Sequence, residues 1–495
     1  MTSKAATILL ISAAVGWAGP AAAQEAVPRA VTVARTTAIP NCTVFVDAAA
    51  PGRGDGSVKT PHKAIAAAVA AAANGAVICV AEGTYAEKIA PETKYFTLAG
   101  GFQSGKDFKV RDSARYVSKA RGNGTGSFFR VDNEGPKGTE LTAIDGFDIS
   151  GYSQAIVRQV YYSQRFDITN NFIHDNRCTD QKLAGAGFAL NNVSGRIEGN
   201  VIRNNSCGRG GAGALADDKG ENSVSVLRNH VDRNAGTEPE AAHGGALYLF
   251  SKNLAITGNL FTGNSVTRWG AGLYIGAYVE GGQTTTARLN WNVYRDNRAG
   301  VAGGGLFCDD GASCTSFHEV FVRNCGGNIY LDSGSKAGPT RAQFDHLTNV
   351  GGLESDCKTP GNGVHIDNIA ASHDAHSFIN ALFWGNAKGR DFVVGCNEGE
   401  GKCRALKVSI SHSMVQTEYL KNGATMSFGP GIVTPADPLF ADAEKGDFHL
   451  RSAAGRWTTS GFVKDTASSP VIGKGTGKAS ELGAYGNSPE ASRVP

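Results

Sequence analysis

Three aspartates recur at one position of a repeated segment, and no other residues of the chain are better placed for acid-base chemistry. Asp309, Asp332 and Asp367 each lie three residues after an apolar position, in the segments GLFCD, NIYLD and GVHID. Neighbouring parallel strands lie about 4.8 Å apart, so adjacent carboxylates would be about 5 Å apart and the outer two about 10 Å. Those separations approach the ones that retaining and inverting glycosidases use.

Crowding of these carboxylates has two chemical consequences and one structural alternative. Like charges favour the protonated form of one carboxyl, which would make it a general acid. Alternatively, Asp309 and Asp332 would bind Ca²⁺ through their oxygens. The structural alternative is a row of solvated or turn-capping aspartates, because Asp is common where strands end.

Rings precede the aspartates on the same face of the repeat. Alternation along a strand makes the residue after each inward apolar position point outward. In five successive copies that residue has a ring, whereas the two preceding copies have Ala189 and Ala216. The predicted column contains Tyr248, Tyr274, Phe307, Tyr330 and His365. It predicts either a strip on which sugar rings stack or a structural stack under a long loop.

Short strands must position both columns, because each copy is a period-2 segment that follows a turn. We align the copies on their inward apolar residues. These are Phe188, Leu215, Leu247, Leu273, Leu306, Ile329 and Val364. Helical repeats of this length would instead show apolar residues at i, i+3 and i+4 and few glycines.

A second motif alternates with the first and contains two asparagines five residues apart. The pairs are Asn171 and Asn176, Asn200 and Asn205, Asn229 and Asn234, Asn259 and Asn264, and Asn292 and Asn297, with degenerate copies after them. Stacked coils would place these side chains above one another as a hydrogen-bonded ladder. The fold class predicted is all-β, a right-handed parallel β-helix with coils over residues 140–425 and a short N-terminal capping helix after Thr60-Pro61.

Composition limits the class of protein. Of the 495 residues 41% are hydrophobic and 65 are glycine, which predicts a large core with many tight turns. The net charge of +3 provides no long-range field for nucleic acid. We expect a signal peptide over residues 1–23, an N-terminal cap and first coils over 24–139, central repeats over 140–428, and a C-terminal cap and tail over 429–495. The predicted location is secreted or periplasmic, without membrane insertion.

Ten cysteines in an exported chain favour disulfides, because C-x-x-C pairs are absent from the sequence. Cys178 and Cys207 each lie seven residues after a repeat asparagine, so stacking brings them within disulfide reach. Short loops predict the pairs Cys308 with Cys314 and Cys396 with Cys403. The remaining predictions are Cys42 with Cys79 at the N-terminal end and, by elimination, Cys325 with Cys357.

The segment VFVDAAAPGRGDGSVKTPHKAIAAAVAAAANGAVICVAEGTYAE resembles the opening of exported β-helix proteins of the pectin-lyase-like superfamily. The segments GGF, DPLFAD, GDFHL, SSPVIGKG and GAYGN resemble the same group. The alternating GGAL and FTGN segments are also similar to the repeats of chlamydial polymorphic outer-membrane adhesins. The first resemblance implies the β-helix fold, but that scaffold supports lyases, hydrolases, epimerases and adhesins.

Two functions follow as hypotheses. The first is a monomeric, carbohydrate-active enzyme, a lyase or glycoside hydrolase, whose ring column binds a polysaccharide and whose aspartates act as acid and base or bind Ca²⁺. In a lyase a basic residue abstracts the sugar proton, and the loop candidates are Lys252, Arg268, Lys336 and Arg341. The second hypothesis is a non-catalytic surface or periplasmic adhesin that uses the repetitive face for recognition.

Overall fold

The chain forms a right-handed parallel β-helix in a computed structural model, as the repeats predict. The structure describes residues 34–133, 135–277, 284–309, 311–333, 339–351, 362–368, 375–386, 390–396, 406–458, 461–477 and 481–485. Each coil passes through three long sheets, named sheets A, B and C in chain order. A short sheet D follows sheet B in four coils.

Every strand of the four sheets pairs in parallel with its counterpart in the next coil. Sheet A contains Val44–Val46, Ala76–Ala81, Phe96–Phe102, Gly138–Asp145, Gln164–Thr169, Val193–Glu198, Ser223–Leu227, Asn253–Thr257, Thr286–Asn290, Ser313–Phe317, Arg341–Asp345, Ala375–Ile379, Lys407–Ser411 and Met426–Phe428. Sheet B contains Gly83–Tyr85, Ser118–Arg121, Phe147–Ser150, Phe172–His174, Val201–Arg203, His230–Asp232, Leu260–Thr262, Val293–Arg295, Val320–Val322, Thr348–Val350 and Leu382–Trp384.

Sheets C and D complete the coils, so the stack begins well before residue 140. Sheet C contains Phe129–Asn133, Ile156–Val160, Phe188–Asn191, Gly213–Ala216, Leu247–Leu249, Leu273–Ile275, Leu306–Cys308, Ile329–Ser333, Val364–Asn368, Phe392–Cys396 and Glu418–Leu420. Sheet D contains Ser206–Cys207, Ala235–Gly236, Ser265–Val266 and Arg298–Ala299. The inward positions of sheets A, B and C form one continuous core.

The asparagines form two internal ladders, as predicted. In the first ladder the Asn229 side-chain oxygen accepts hydrogen bonds from the backbone N–H and the Nδ2 of Asn200, each at 3.0 Å. The Nδ2 of Asn229 donates to Asn259 and to the carbonyl of Ile197. The second ladder repeats this pattern at the next corner. Each amide is both donor and acceptor, so a column of identical residues satisfies its own buried polar groups.

The N-terminal helix is shorter than predicted and begins later, at Ile65–Ala71. The expectation that Thr60-Pro61 starts it is wrong. The N-terminal end of the helix is instead capped by Glu87, whose carboxylate accepts from the backbone N–H groups of Ile65 and Ala66. A distant carboxylate replaces the local cap because it lies at the positive end of the helix. The buried face of the helix packs on the first strands.

The chain after residue 429 packs on the outer face of sheet B. It contains two hairpins, Phe440–Asp442 with Asp447–Leu450 and Arg456–Thr458 with Gly461–Val463, and a 3₁₀ turn at Ala443–Lys445. Phe448 and Tyr485 pack against Val293 and Val320 on the outer face of sheet B. This segment therefore covers apolar residues on the outer face of sheet B.

Three predicted disulfides are confirmed: Cys42 with Cys79, Cys178 with Cys207, and Cys308 with Cys314. Cys325 is also disulfide-bonded. Cys357 and Cys403 lie outside the described residues, so their two pairings stay predictions. Disulfides are typical of proteins outside the reducing cytoplasm. The described part of the chain has no helix long and apolar enough to cross a membrane. The signal-peptide prediction concerns residues 1–23, which the structure does not describe.

Candidate functional site

Sheet C aligns the predicted columns, with one correction of register. Tyr248 is in register with Tyr274 on one side and with Ala214 on the other. The alignment that placed Ala216 in this column is therefore wrong by two residues. The residue of that coil in this column is Ala214, and the inward position before it is Gly213. Gly213 is in register with Phe188, whose ring occupies the space that a side chain at residue 213 would need.

The five predicted rings form one continuous stack, but they are less accessible than a sugar-binding strip requires. Tyr274, Phe307 and Tyr330 have ring centroids 5.2 Å and 4.8 Å apart and nearly parallel planes. Tyr248 and His365 extend the stack at its two ends. The three central rings are only 4%, 2% and 9% exposed. Their faces contact one another, so sugar stacking on this column stays a prediction that the burial weakens.

The three aspartates follow the rings at one outward position of sheet C. Asp332 and Asp367 are paired in the strand register, and Asp309 follows Cys308, which pairs with Leu331. The Tyr274 hydroxyl donates to the Asp309 carboxylate, and the Tyr330 hydroxyl donates to Asp367 at 3.2 Å. We name Asp309, Asp332 and Asp367 the carboxylate column.

The charges of the column act on the Tyr330 phenol. Burial, followed by the charges of Asp367, Asp332 and Asp309, raises the pKa of Tyr330 well above its ordinary value. Tyr330 therefore stays protonated and serves as a hydrogen-bond donor at neutral pH. Next to it, burial and then the charge of Lys421 lower the pKa of His365 to about 4, so this imidazole is neutral.

Short connections hold the carboxylates in place. The Cys308–Cys314 disulfide closes the segment that contains Asp309. The Thr340 hydroxyl donates to the Asp332 carbonyl at 2.6 Å and accepts from the backbone N–H of Gly311 at 3.1 Å. Thr340 thus joins the segment after Leu306–Cys308 to the strand Ile329–Ser333. Such restraint is what a catalytic pair needs, because small displacements of reacting groups are costly.

A lysine that the motif analysis missed lies on the same side of sheet C. Gly395 is in register with Asp367, and Lys421 follows Leu420, which pairs with Val394. The Lys421 side chain lies across Gly395, since a methyl group added there would be 2.9 Å from Lys421 Cβ and 3.4 Å from its Cδ. The coil of Lys421 lacks the glycine motif, which is why the repeat pattern did not identify it.

The basic residues named from sequence are not gathered at the column. Arg268 lies over the Trp269 ring at 3.9 Å, and Arg341 begins a strand of sheet A. Lys252 lies two coils before Asp309, and its backbone N–H donates to the Asp217 carboxylate. Lys336 lies outside the described residues. Lys421 is therefore the described cation that the structure brings to this part of sheet C.

The predicted Ca²⁺ site lacks a preformed set of ligands among the described residues. Within the described ranges, no group of three or more His, Cys, Asp or Glu side chains is arranged to hold a metal ion. The carboxylate column has the oxygen chemistry that Ca²⁺ prefers, but its members are spread along the stacking direction, one to each strand. Acid-base chemistry does not need these side chains to meet at one point.

Comparisons with known proteins give two family models and two solved structures. A family model for a right handed beta helix region matches residues 131–291, and one described as disaggregatase related matches residues 393–475. Comparison with curated proteins gives no match. Among solved structures, the chain is similar to pectate lyase Pel9A, with 12% identity, a TM-score of 0.42, and 90% of this chain and 98% of that chain covered.

A second solved structure is XylC in complex with xylose, with 11% identity, a TM-score of 0.39, and 80% of this chain and 87% of that chain covered. At these identities and TM-scores, the two structures identify no site residue and no substrate for this chain. The resemblance to chlamydial adhesins stays a prediction.

Proposed function

We propose that the protein binds and cleaves a polysaccharide on the outer face of sheet C, at the carboxylate column. The observation that supports this is the placement of a carboxylate at the same outward position on three successive strands, around the Tyr330 hydroxyl. A purely structural column would gain nothing from three like charges at this spacing. The charges therefore favour a chemical role.

The proposed reaction is hydrolysis of a glycosidic bond. We assign the general acid to Asp332, the middle member of the column, because Asp309 and Asp367 each receive a tyrosine hydrogen bond. Asp332 then protonates the leaving oxygen as the C–O bond breaks. Asp367, half-buried and about 5 Å away, attacks the anomeric carbon, and water later releases the sugar.

Lys421 favours a second candidate reaction, β-elimination on a uronate sugar. The lysine would take the proton next to the sugar carboxylate, the bond to the leaving oxygen would break, and a carbon–carbon double bond would form as that oxygen takes up a proton. Its place beside Gly395, the residue in register with Asp367, is the observation that supports this reaction. The unsaturated product absorbs ultraviolet light, whereas a hydrolysis product does not.

The test is a screen of the purified protein on acidic and neutral polysaccharides, read by reducing ends and by ultraviolet absorbance. Hydrolysis predicts new reducing ends without absorbance, and at least a hundredfold loss of turnover in Asp332→Asn, because proton transfer contributes roughly 10²–10⁴-fold. Asp107→Asn, at an exposed loop position, is the matched control. Binding without cleavage by either readout would contradict the enzymatic proposal and leave the adhesin hypothesis.

A further inference from the structure

A pair of exposed tyrosines lies on the same edge of sheet C, several coils before the carboxylate column. Tyr161 and Tyr162 are 64% and 42% exposed, and their rings meet edge to face with centroids 5.7 Å apart. Lys219 Nζ lies 4.2 Å from the Tyr161 ring centroid, and Lys137 Nζ lies 4.0 Å from that of Tyr162. Two adjacent exposed rings with two cations beside them offer a ligand both apolar area and positive charge.

A buried arginine fixes the backbone of this pair. Arg158 occupies an inward position, in register with Leu190, and is fully buried. Its guanidinium donates to the Tyr162 carbonyl at 2.6 Å, to the Asn191 carbonyl at 2.5 Å and to the Gln164 side chain at 2.8 Å. Burial lowers its pKa to about 10, so it remains charged at neutral pH. A buried charge is costly unless it is hydrogen-bonded, and here the guanidinium is hydrogen-bonded to several acceptors around it.

The same arginine reaches the preceding coil. It donates to the Pro136 carbonyl at 3.3 Å, next to Lys137, and the Gly138 N–H bonds to the Ser163 carbonyl. The turn at 161–163 and the loop at 135–138 are therefore joined behind the exposed rings. A rigid, pre-organised surface loses less entropy when it binds a ligand.

A one-residue connection between two strands contacts the backbone of the tyrosine pair. Asn192 alone joins a strand of sheet C to the next strand of sheet A, with a left-handed φ of 53°. Its Nδ2 donates to the Tyr161 carbonyl at 3.1 Å. Lys219, from the longer connection one coil later, reaches back to the Tyr161 ring. Lys219 and Asn192 thus both contact Tyr161 from the coils that follow it.

The charges at this surface favour an anion. Neither lysine forms an ion pair with a carboxylate in the described part of the chain. Two acidic residues close in sequence have other hydrogen-bond partners: Glu140 accepts from the backbone N–H of Lys137, and Asp218 from Asn192 Nδ2. Two ammonium groups and two exposed rings together match a sugar that has a carboxylate and an apolar ring face.

We propose that Tyr161, Tyr162, Lys137 and Lys219, named the dityrosine platform, bind an acidic, uronate-containing polysaccharide. Strand register places the platform about five coils, roughly 24 Å, from Asp309 along the same edge. The inference rests on the proposed function in one respect: an extended chain held by the platform would continue toward the carboxylate column. It deepens that function by assigning the substrate class.

The test measures binding of polygalacturonate, with neutral galactan as the comparison, by the wild type and a Tyr161→Ala/Tyr162→Ala variant. We expect the affinity of the tyrosine variant for polygalacturonate to fall about tenfold or more, because truncating an aromatic hot-spot residue typically weakens binding by at least that factor. Lys137→Gln/Lys219→Gln should weaken binding about threefold and reduce its dependence on salt. Phe317→Ala and Lys109→Gln, at exposed positions away from the platform, are the matched controls.

The outcomes separate this inference from the proposed function. Loss of binding in the tyrosine variant, with turnover of a short oligosaccharide unchanged, supports the platform. If no polysaccharide is cleaved but polygalacturonate binding is lost in the same variant, the platform stands and the enzymatic proposal fails. Unchanged polygalacturonate binding in the tyrosine variant, or preference of the wild type for galactan, would overturn the platform.

Discussion

The asparagine ladders and the carboxylate column are both stacks of one residue type on successive coils, yet they differ in chemistry. In the ladder each amide donates to one neighbour and accepts from the other, so the stack is self-sufficient. Carboxylates only accept, so a stack of them repels itself and needs outside donors, here the hydroxyls of Tyr274 and Tyr330. The ladder therefore satisfies its own buried polar groups, whereas we expect the like charges of the column to lower stability.

The largest expected effect is a break in the ladder. Asn229→Ala removes the acceptor for two donors of Asn200 and the Nδ2 donor to the Ile197 carbonyl. The Asn259 oxygen loses one of its two donors and keeps the backbone N–H of residue 229. Each buried, unsatisfied group costs roughly 1–3 kcal/mol, so we expect a loss of about 3–5 kcal/mol in the free energy of unfolding. Calorimetry measures it. Asn253→Ala, an exposed asparagine of sheet A, should change stability by less than about 0.5 kcal/mol.

Glu319 takes the ladder position after Asn292, so a carboxylate there continues a stack of amides. Its carboxylate accepts from the Asn292 N–H and Nδ2. Burial raises its pKa from 4.5 to about 8, so the folded state retains a proton that the unfolded chain releases. This contribution to stability is therefore fully present below pH 4.5 and is lost as the pH rises to about 8.

Glu319→Gln should remove that pH dependence, since glutamine keeps the length and adds an amide donor. We expect the variant to be more stable than wild type by about 1–3 kcal/mol at pH values above the folded pKa, and nearly equal at low pH. Thermal melts across the pH range measure the difference. A constant difference at every pH would contradict the assigned protonation.

A smaller effect is expected in the column. Asp332→Asn removes the central like charge, so stability should stay equal or rise by about 0.5–1 kcal/mol at neutral pH. If the aspartate instead caps a turn, the same change should cost roughly 0.5–2 kcal/mol. Calorimetry of the variant beside Asp107→Asn distinguishes the two, and EDTA in the wild-type sample tests the calcium prediction, because a bound ion raises the melting temperature.

The sequence predicts what is local and repeated. The asparagine spacing identifies the ladders because each asparagine bonds to its own equivalent one coil away. The register error at Gly213 arose because the large Phe188 ring in one coil requires glycine in the next, a compensation between coils that a motif aligned on leucine does not show. Glu87 at the helix end and Arg158 behind the dityrosine platform also act far from their own motifs.

Exposure is the other property that the repeats do not determine. Alternation correctly places Phe307 outside the coil, but its neighbours cover it, and it is 2% exposed. Tyr161 and Tyr162 lie in an irregular turn that belongs to no motif and are among the most accessible rings described. The position of a residue in the repeat therefore predicts the direction of its side chain, not its contact with solvent.

The most direct test of the central claim is a crystal structure of Asp332→Asn with an oligosaccharide of the polysaccharide that the wild type cleaves or binds. The account predicts the sugar chain on the outer face of sheet C, with one glycosidic oxygen within hydrogen-bond distance of residue 332 and the anomeric carbon facing Asp367. An oligosaccharide bound on sheet A or sheet B, with the carboxylate column free of ligand, would contradict it.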